Sequence, residues 1–244
     1  MEIEKRKIPK EFDVKIKDKT PDGYMKMYFA AIVAGASRSG KTTAICHIVD
    51  KVAKAYKTVV VFSPSISDPT WTSLRNHDNI YFSELVSNHV LNNLFTKQKK
   101  LHDTDKDNSL LIVVDDYGLL ARDRGNDIHK PQKEELISSG IKQSLDLLFS
   151  RGRHFSTSIL ASFHDTLQAS PIQRINATHW LLYRLNDKCY EKIAPELKCH
   201  LSDKEFIKLA HDATAEPYSF FYIDLKAHKN EDVFKWGTPK EKLV

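Results

Sequence analysis

The chain has 244 residues, 41% hydrophobic and 28% charged, with a formal net charge of +5, the make-up expected of a globular protein large enough to bury a full α/β core. No apolar run approaches the roughly 20 residues that cross a bilayer, which argues against a membrane span. The three cysteines, Cys46, Cys189 and Cys199, are too few and too scattered for a disulfide framework, and Cys199, His200 and His211 lack a second ligand pair at zinc spacing.

The opening Met1-Glu2-Ile3-Glu4-Lys5-Arg6-Lys7 has no apolar stretch of a signal peptide, so an intracellular location is expected. Residues 1–24 read as a polar extension that closes on Pro21-Asp22-Gly23. From residue 25 to 225 strand and helix signals alternate, and residues 226–244 read as a tail. Met25 to Val33 is a near-continuous apolar run, as in a strand buried on both faces. A Gly-rich turn follows, then helix-forming positions over 41–54. Thr58-Val59-Val60-Val61-Phe62 is a second buried strand, residues 79–82 a short one, and residues 84–97 a helix. The hydrophilic stretch from Lys100 to Asn108 reads as a loop ahead of Leu110-Leu111-Ile112-Val113-Val114, the strongest strand signal in the chain. Residues 121–131 read as another loop. From Gln132 to Phe149, apolar residues recur at helical spacing. Strands are expected over 158–163, 179–183 and 219–225, with a helix capped by Ser202 or Asp203 running to about His211. Such alternation implies an α/β fold with a mostly parallel sheet and helices on both faces.

The segment Gly35-Ala36-Ser37-Arg38-Ser39-Gly40-Lys41-Thr42 fits G-x-x-x-x-G-K-[ST] between a predicted strand and a predicted helix. Glycines there let backbone N–H groups turn onto phosphate oxygens, and the helix N-terminus favours an anion. The loop and the adjoining Thr43 are therefore the candidate ATP site. Lys41 is placed for the β- and γ-phosphates and the Thr42 hydroxyl for Mg²⁺. The predicted strand 110–114 runs into Asp115-Asp116. In such a site the first carboxylate serves Mg²⁺ and the second orients and deprotonates a water; the weaker alternative is a pair of acids that caps a turn. No Asn-Lys-x-Asp occurs, which argues against a GTPase. Arg153, in Arg151-Gly152-Arg153-His154, could stabilise a γ-phosphoryl group within the subunit or from a neighbour, or simply complement a helix dipole. His164, at the end of the predicted strand 158–163, faces the same crevice as the loop and could sense the γ-phosphate or serve as a structural hydrogen-bonder.

The order of these motifs resembles the poxvirus-type genome-packaging ATPases of the FtsK/HerA superfamily. The resemblance covers roughly residues 25–185. It rests on the phosphate loop, Val61-Phe62-Ser63-Pro64, Val114-Asp115-Asp116-Tyr117-Gly118, Gly152-Arg153-His154-Phe155-Ser156-Thr157-Ser158-Ile159, and Pro171-Ile172-Gln173-Arg174-Ile175-Asn176-Ala177-Thr178-His179. It implies a RecA-like P-loop NTPase core in a homo-oligomeric ring that hydrolyses ATP and moves double-stranded DNA into a capsid, with a capsid or portal-vertex protein as partner. The setting would be the host-cell cytoplasm, the viral assembly site or the virion. By position, Asp116 becomes the catalytic carboxylate, Arg153 the finger acting in trans, and Arg174 a second candidate. His164 stands where the family commonly has Gln, and an imidazole can donate and accept as an amide does. Candidate DNA contacts are the loops around Lys100 and from Arg122 to Lys133. Two other readings fit the residues: a nucleotide or nucleoside kinase with Arg151 and Arg153 as lid arginines, and a nucleotide-dependent scaffold with little turnover.

Overall fold

The computed structural model describes residues 18–102, 107–116 and 131–237. Within them, eight strands form one sheet: β1 Ala30–Ala34, β2 Thr58–Phe62, β3 Ile80–Ser83, β4 Leu110–Val114, β5 Thr157–Phe163, β6 His179–Leu182, β7 Phe220–Asp224 and β8 Phe234–Gly237. Their spatial order is β3-β2-β4-β5-β1-β6-β7-β8. The first six are parallel, and β7 and β8 run antiparallel at one edge. β1, β4 and β5 are buried along their whole length, which is why the sequence shows them as apolar runs rather than alternations.

Helices cover both faces: α1 Lys41–Val52, α2 Asn88–His102, α3 Pro131–Arg151, α4 Pro171–Asn176, α5 Asp187–Leu197 and α6 Asp203–Ala213. Strand alternation sends Ile32, Ile112 and Ala161 to one side, where Leu91 of α2, Leu145 of α3, Ile193 of α5 and Phe206 of α6 close the core. Val33, Val113 and Leu160 face the other side, against Ile45 and Ile48 of α1 and against Trp71 and Leu74 of the 3-10 turns at Pro69–Asn76. The fold is the expected α/β type, a mostly parallel sheet with helices on both faces.

Some boundaries differ from the sequence reading. The run from Met25 is not strand before Ala30. Tyr28 has φ of 64° and its N–H donates to Ser158 Oγ at 2.8 Å, so the chain turns there while Met25, Met27 and Phe29 still bury against α1's face of the sheet. Burial of a connecting segment imitated a strand. The loop expected from Lys100 starts later, because α2 continues to His102; Gln98, buried, donates its Nε2 to Asn108 O at 2.6 Å, and Phe95 packs edge-on to Phe155. The short α4, the helix α5 with Pro195 near its end, and β8 were not read at all. The expected loop 121–131 lies outside the described residues except for Pro131, which begins α3.

Candidate active site

Because β1 to β6 are parallel, their C-terminal ends share one edge of the sheet, and the phosphate loop emerges there between β5 and β6. Gly35 N–H donates to Phe163 O at 3.2 Å, and Tyr183 N–H donates to Ala34 O at 2.8 Å. A Cβ on Gly35 would stand 2.5 Å from Tyr183 Cβ and 2.9 Å from Ser39 Oγ, so only glycine fits this close approach. Gly40, with φ of 103°, caps the start of α1 in the left-handed region. No acidic residue occupies the first turn of α1, and its free N–H groups and dipole present a favourable field to an anion. Lys41 lies folded over the loop: its Nζ donates to Gly35 O at 2.7 Å and Ala36 O at 2.8 Å. Burial lowers its pKa, opposed by the carboxylates of Asp116 and Asp115. Ala36, Ser37, Arg38 and Thr43 are exposed around it.

Asp115 follows β4 and is buried. Three hydroxyls reach it from three elements: Ser162 Oγ donates to Oδ1 at 2.8 Å, and Thr42 Oγ1 at 3.1 Å and Ser63 Oγ at 3.2 Å donate to Oδ2. Burial raises its pKa; the Ser162 and Thr42 hydrogen bonds oppose this, and the adjacent Asp116 adds to it. Asp116 has φ of 56°. This left-handed step breaks the strand's alternation, so two successive carboxylates point into the same crevice by different routes. Its N–H donates to the same Ser162 Oγ at 2.8 Å, and its Oδ1 stands 2.6 Å from His164 Nε2. His164 is held by its own N–H, which donates to Gln168 Oε1 at 3.0 Å. The structure thus gathers Lys41, Thr42, Asp115, Asp116 and His164.

The two arginines are placed otherwise. Arg153 sits in the 3-10 turn Gly152–Phe155 just before β5, at the opposite, N-terminal edge of the sheet. At about 3.3 Å per residue, the length of β5 puts roughly 20 Å between that edge and the loop. Arg153 therefore cannot serve the phosphate loop of its own chain. Arg174, on α4, is engaged by a second helix: Nε and Nη2 donate to the Glu196 carboxylate, both at 2.9 Å, and Nη1 donates to Ala169 O at 3.0 Å. That bidentate pair ties α4 to α5.

One part of the site has no counterpart in the sequence reading. A cleft of about 300 Å³ opens beside the loop, walled by Arg38, Ser39, Tyr183, Arg184 and the turn Thr214–Ser219 that carries Tyr218. Tyr183 Oη donates to Gly40 O at 3.1 Å, and Tyr218 adopts φ of 66° with its ring beside Gly40. The available signal was positional: Tyr183 is the residue after β6, on the ligand-binding edge of a parallel sheet. Lys100 is exposed on α2; the other candidate DNA loop, Arg122 to Lys133, lies outside the described side chains.

The loop suits a nucleoside triphosphate. Ser39 Oγ is buried on it without a partner, and the folded-over Lys41 holds the only ammonium of the loop at its carbonyls. Thr42 and Asp115 form a hydroxyl–carboxylate oxygen pair of the kind that binds Mg²⁺.

No family model matches the chain, and no curated protein matches it in sequence. Solved structures do match in fold. The genome packaging NTPase B204 from Sulfolobus turreted icosahedral virus 2, in complex with AMP, superposes with a TM-score of 0.58 at 15% identity, over 89% of this chain and 100% of that one. The DNA-packaging ATPase B204 from Sulfolobus Turreted Icosahedral Virus gives 0.52 at 17% identity, over 86% and 97%. The pCW3 conjugation coupling protein TcpA, in its monomer form with ATPgS, gives 0.56 at 14% identity, over 83% of this chain and 60% of that one. At these identities the likeness is one of fold, the fold of P-loop ATPases.

Proposed function

We propose that the chain is one subunit of a ring-forming ATPase of the FtsK/HerA type that moves double-stranded DNA into a viral capsid. The observation that carries the ATPase reading is the pairing of the Thr42–Asp115 contact, on the buried Asp115 carboxylate, with a second carboxylate, Asp116, turned toward the same crevice and facing His164. The motor reading rests on Arg153 at the far edge of the sheet, on the motif order of the poxvirus-type packaging ATPases, and on the packaging and conjugation proteins among the structural neighbours.

In this reading ATP lies with its phosphates on Gly35–Thr43 and its nucleoside toward the cleft of Tyr183 and Tyr218. Lys41 leaves the carbonyls of Gly35 and Ala36 for the β- and γ-phosphates. Thr42 and Asp115 hold Mg²⁺, which when bound neutralises phosphate charge. Asp116 accepts a proton from the water that attacks the γ-phosphorus, as the bond to the β–γ bridging oxygen breaks and ADP and phosphate form. His164, with Nε2 on Asp116 Oδ1, orients that carboxylate. Arg153 of a neighbouring copy meets the charge that develops on the transferring group. Arg174 acts through its tie to Glu196, holding α4 and α5 in place. A capsid or portal-vertex protein, at the viral assembly site, is the expected docking partner.

The experiment is ATP turnover by the full chain with and without duplex DNA. Asp116→Asn should retain nucleotide affinity and lose at least about a hundredfold in kcat; unchanged turnover removes Asp116 from the chemistry. Duplex DNA should accelerate the assembled wild-type protein. An assembled ring indifferent to DNA sinks the translocase reading and leaves the ATPase.

A further inference from the structure

A second cleft, again of about 300 Å³, lies at the N-terminal edge of the sheet, between the end of α3 and the starts of β1, β5 and β6. Arg153 and Lys226 both line it, with Leu148, Phe149, Asn176 and Thr178 among its walls. Lys226 follows β7 on a pinned turn: its N–H donates to Asp224 Oδ1 at 2.8 Å, and Leu225 N–H donates to Thr178 O at 3.0 Å. The neutral polar groups are already engaged. Thr178 Oγ1 accepts from Ala30 N–H, Ser150 Oγ donates to Asp146 O and Asn176 Nδ2 to Ile172 O. The two cations are not: among the described residues neither side chain makes an ion pair or a hydrogen bond. Burial lowers the pKa of Lys226, Arg153 adds repulsion, and Asp224 offsets only part of it. Two like charges converging on a partly apolar cleft are costly unless an anion joins them, and low-polarity walls strengthen that attraction.

We propose that Lys226 acts with Arg153 as a second cation in trans, the pair gripping the terminal phosphate of a nucleotide held on the phosphate loop of an adjacent copy. This rests on the ring reading above and adds a residue to its shared site. A nucleotide phosphate in this cleft must come from another copy, since the chain's own loop is at the opposite edge of the sheet. A concave cleft with two cations suits a single phosphate group, whereas a grip on a DNA backbone calls for a longer array of exposed cations tracking the strand.

The test uses full-length Lys226→Gln, Lys226→Arg and, as mixing partner, Lys41→Ala. Lys226→Gln should lower kcat at saturating ATP at least about tenfold. Its melting temperature should not fall, because a repelled charge has been removed, and Lys226→Arg should recover most of the turnover. Mixed with excess Lys41→Ala protein, each Lys226→Gln subunit should regain turnover, because its own intact loop then meets a neighbour's Lys226. Mixed oligomers, verified by sedimentation, that recover nothing overturn the assignment. So does a Lys226→Gln protein with normal DNA-free turnover and weakened duplex binding, which would make Lys226 a DNA contact. A wild-type protein that stays monomeric, with specific activity independent of concentration, removes the ring reading itself; concentration-dependent wild-type activity without recovery on mixing removes Lys226 alone.

Discussion

His179 shows what burial does to a single ionisable group in this fold. Its ring lies between Thr178 and Asp224 at the start of β6, with Nδ1 2.8 Å from Thr178 Oγ1 and Nε2 3.3 Å from Asp224 Oδ1. Burial pushes its pKa down to about 4, outweighing the Asp224 carboxylate. A depressed folded-state pKa gives stability that is complete above the unfolded value near 6.5 and is lost as pH falls through the folded value. The wild-type protein should therefore weaken between about pH 6.5 and 4, by up to about 3 kcal/mol from this residue. His179→Asn should flatten that part of the pH–stability curve, measured by urea unfolding at several pH values, and an unchanged slope excludes His179 as its source. At this scale the phosphate loop and Asp115-Asp116 were legible because each is a contiguous motif beside a strand. Ser162 and Ser63, which hold Asp115, were not legible as ligands of a carboxylate: nothing in the sequence says that β2, β4 and β5 adjoin.

Among the elements, β8 is the one whose sequence hides it most. Phe234-Lys235-Trp236-Gly237 follows a charged stretch, and its partner β7 reads as a terminal strand. Antiparallel pairing of Phe221 with Trp236 and Ile223 with Phe234 adds it to the sheet. The Phe234 ring then packs against Phe206 of α6 and Phe221 of β7, at 6.1 and 5.5 Å between centroids. Phe234→Ala should cost about 2 kcal/mol, less than a fully buried phenylalanine because the site is partly exposed. A shift in the denaturant midpoint with unchanged slope is the expected result; no shift makes β8 a passive tail. β2 and β4 were read residue for residue, because both are short unbroken runs of β-branched and other apolar residues, β4 buried along its whole length. α5 escaped because Pro195 interrupts the pattern, although Asn186 caps its start by accepting from Cys189 N–H at 3.0 Å. Met25 to Phe29 misled because burial is not peculiar to strands.

At the scale of the molecule, the decisive feature is that the phosphate loop and Arg153 occupy opposite edges of one sheet. If a neighbour completes each site, specific ATPase activity should rise with protein concentration and then saturate. Arg153→Ala should abolish most of that rise, with nucleotide affinity kept. Flat activity over the range in which sedimentation shows association argues against a shared site. The α/β layout, a mostly parallel sheet with helices on both faces, was legible from strand and helix alternation. The distance that separates Arg153 from its own loop was not, since it depends on which end of β5 the residue adjoins in space. That polarity also governs counting. Contacts that join the head of one copy to the tail of the next are heterologous, and a string of them has two unlike ends. One end carries a loaded loop with no arginine above it, and the other an arginine facing water. If a neighbour's Arg153 completes each site, an open string of n copies has n − 1 working sites, whereas a closed one has n. On that condition, closing the circle adds catalytic capacity without adding a subunit, and assembly state and turnover are read by the same assay.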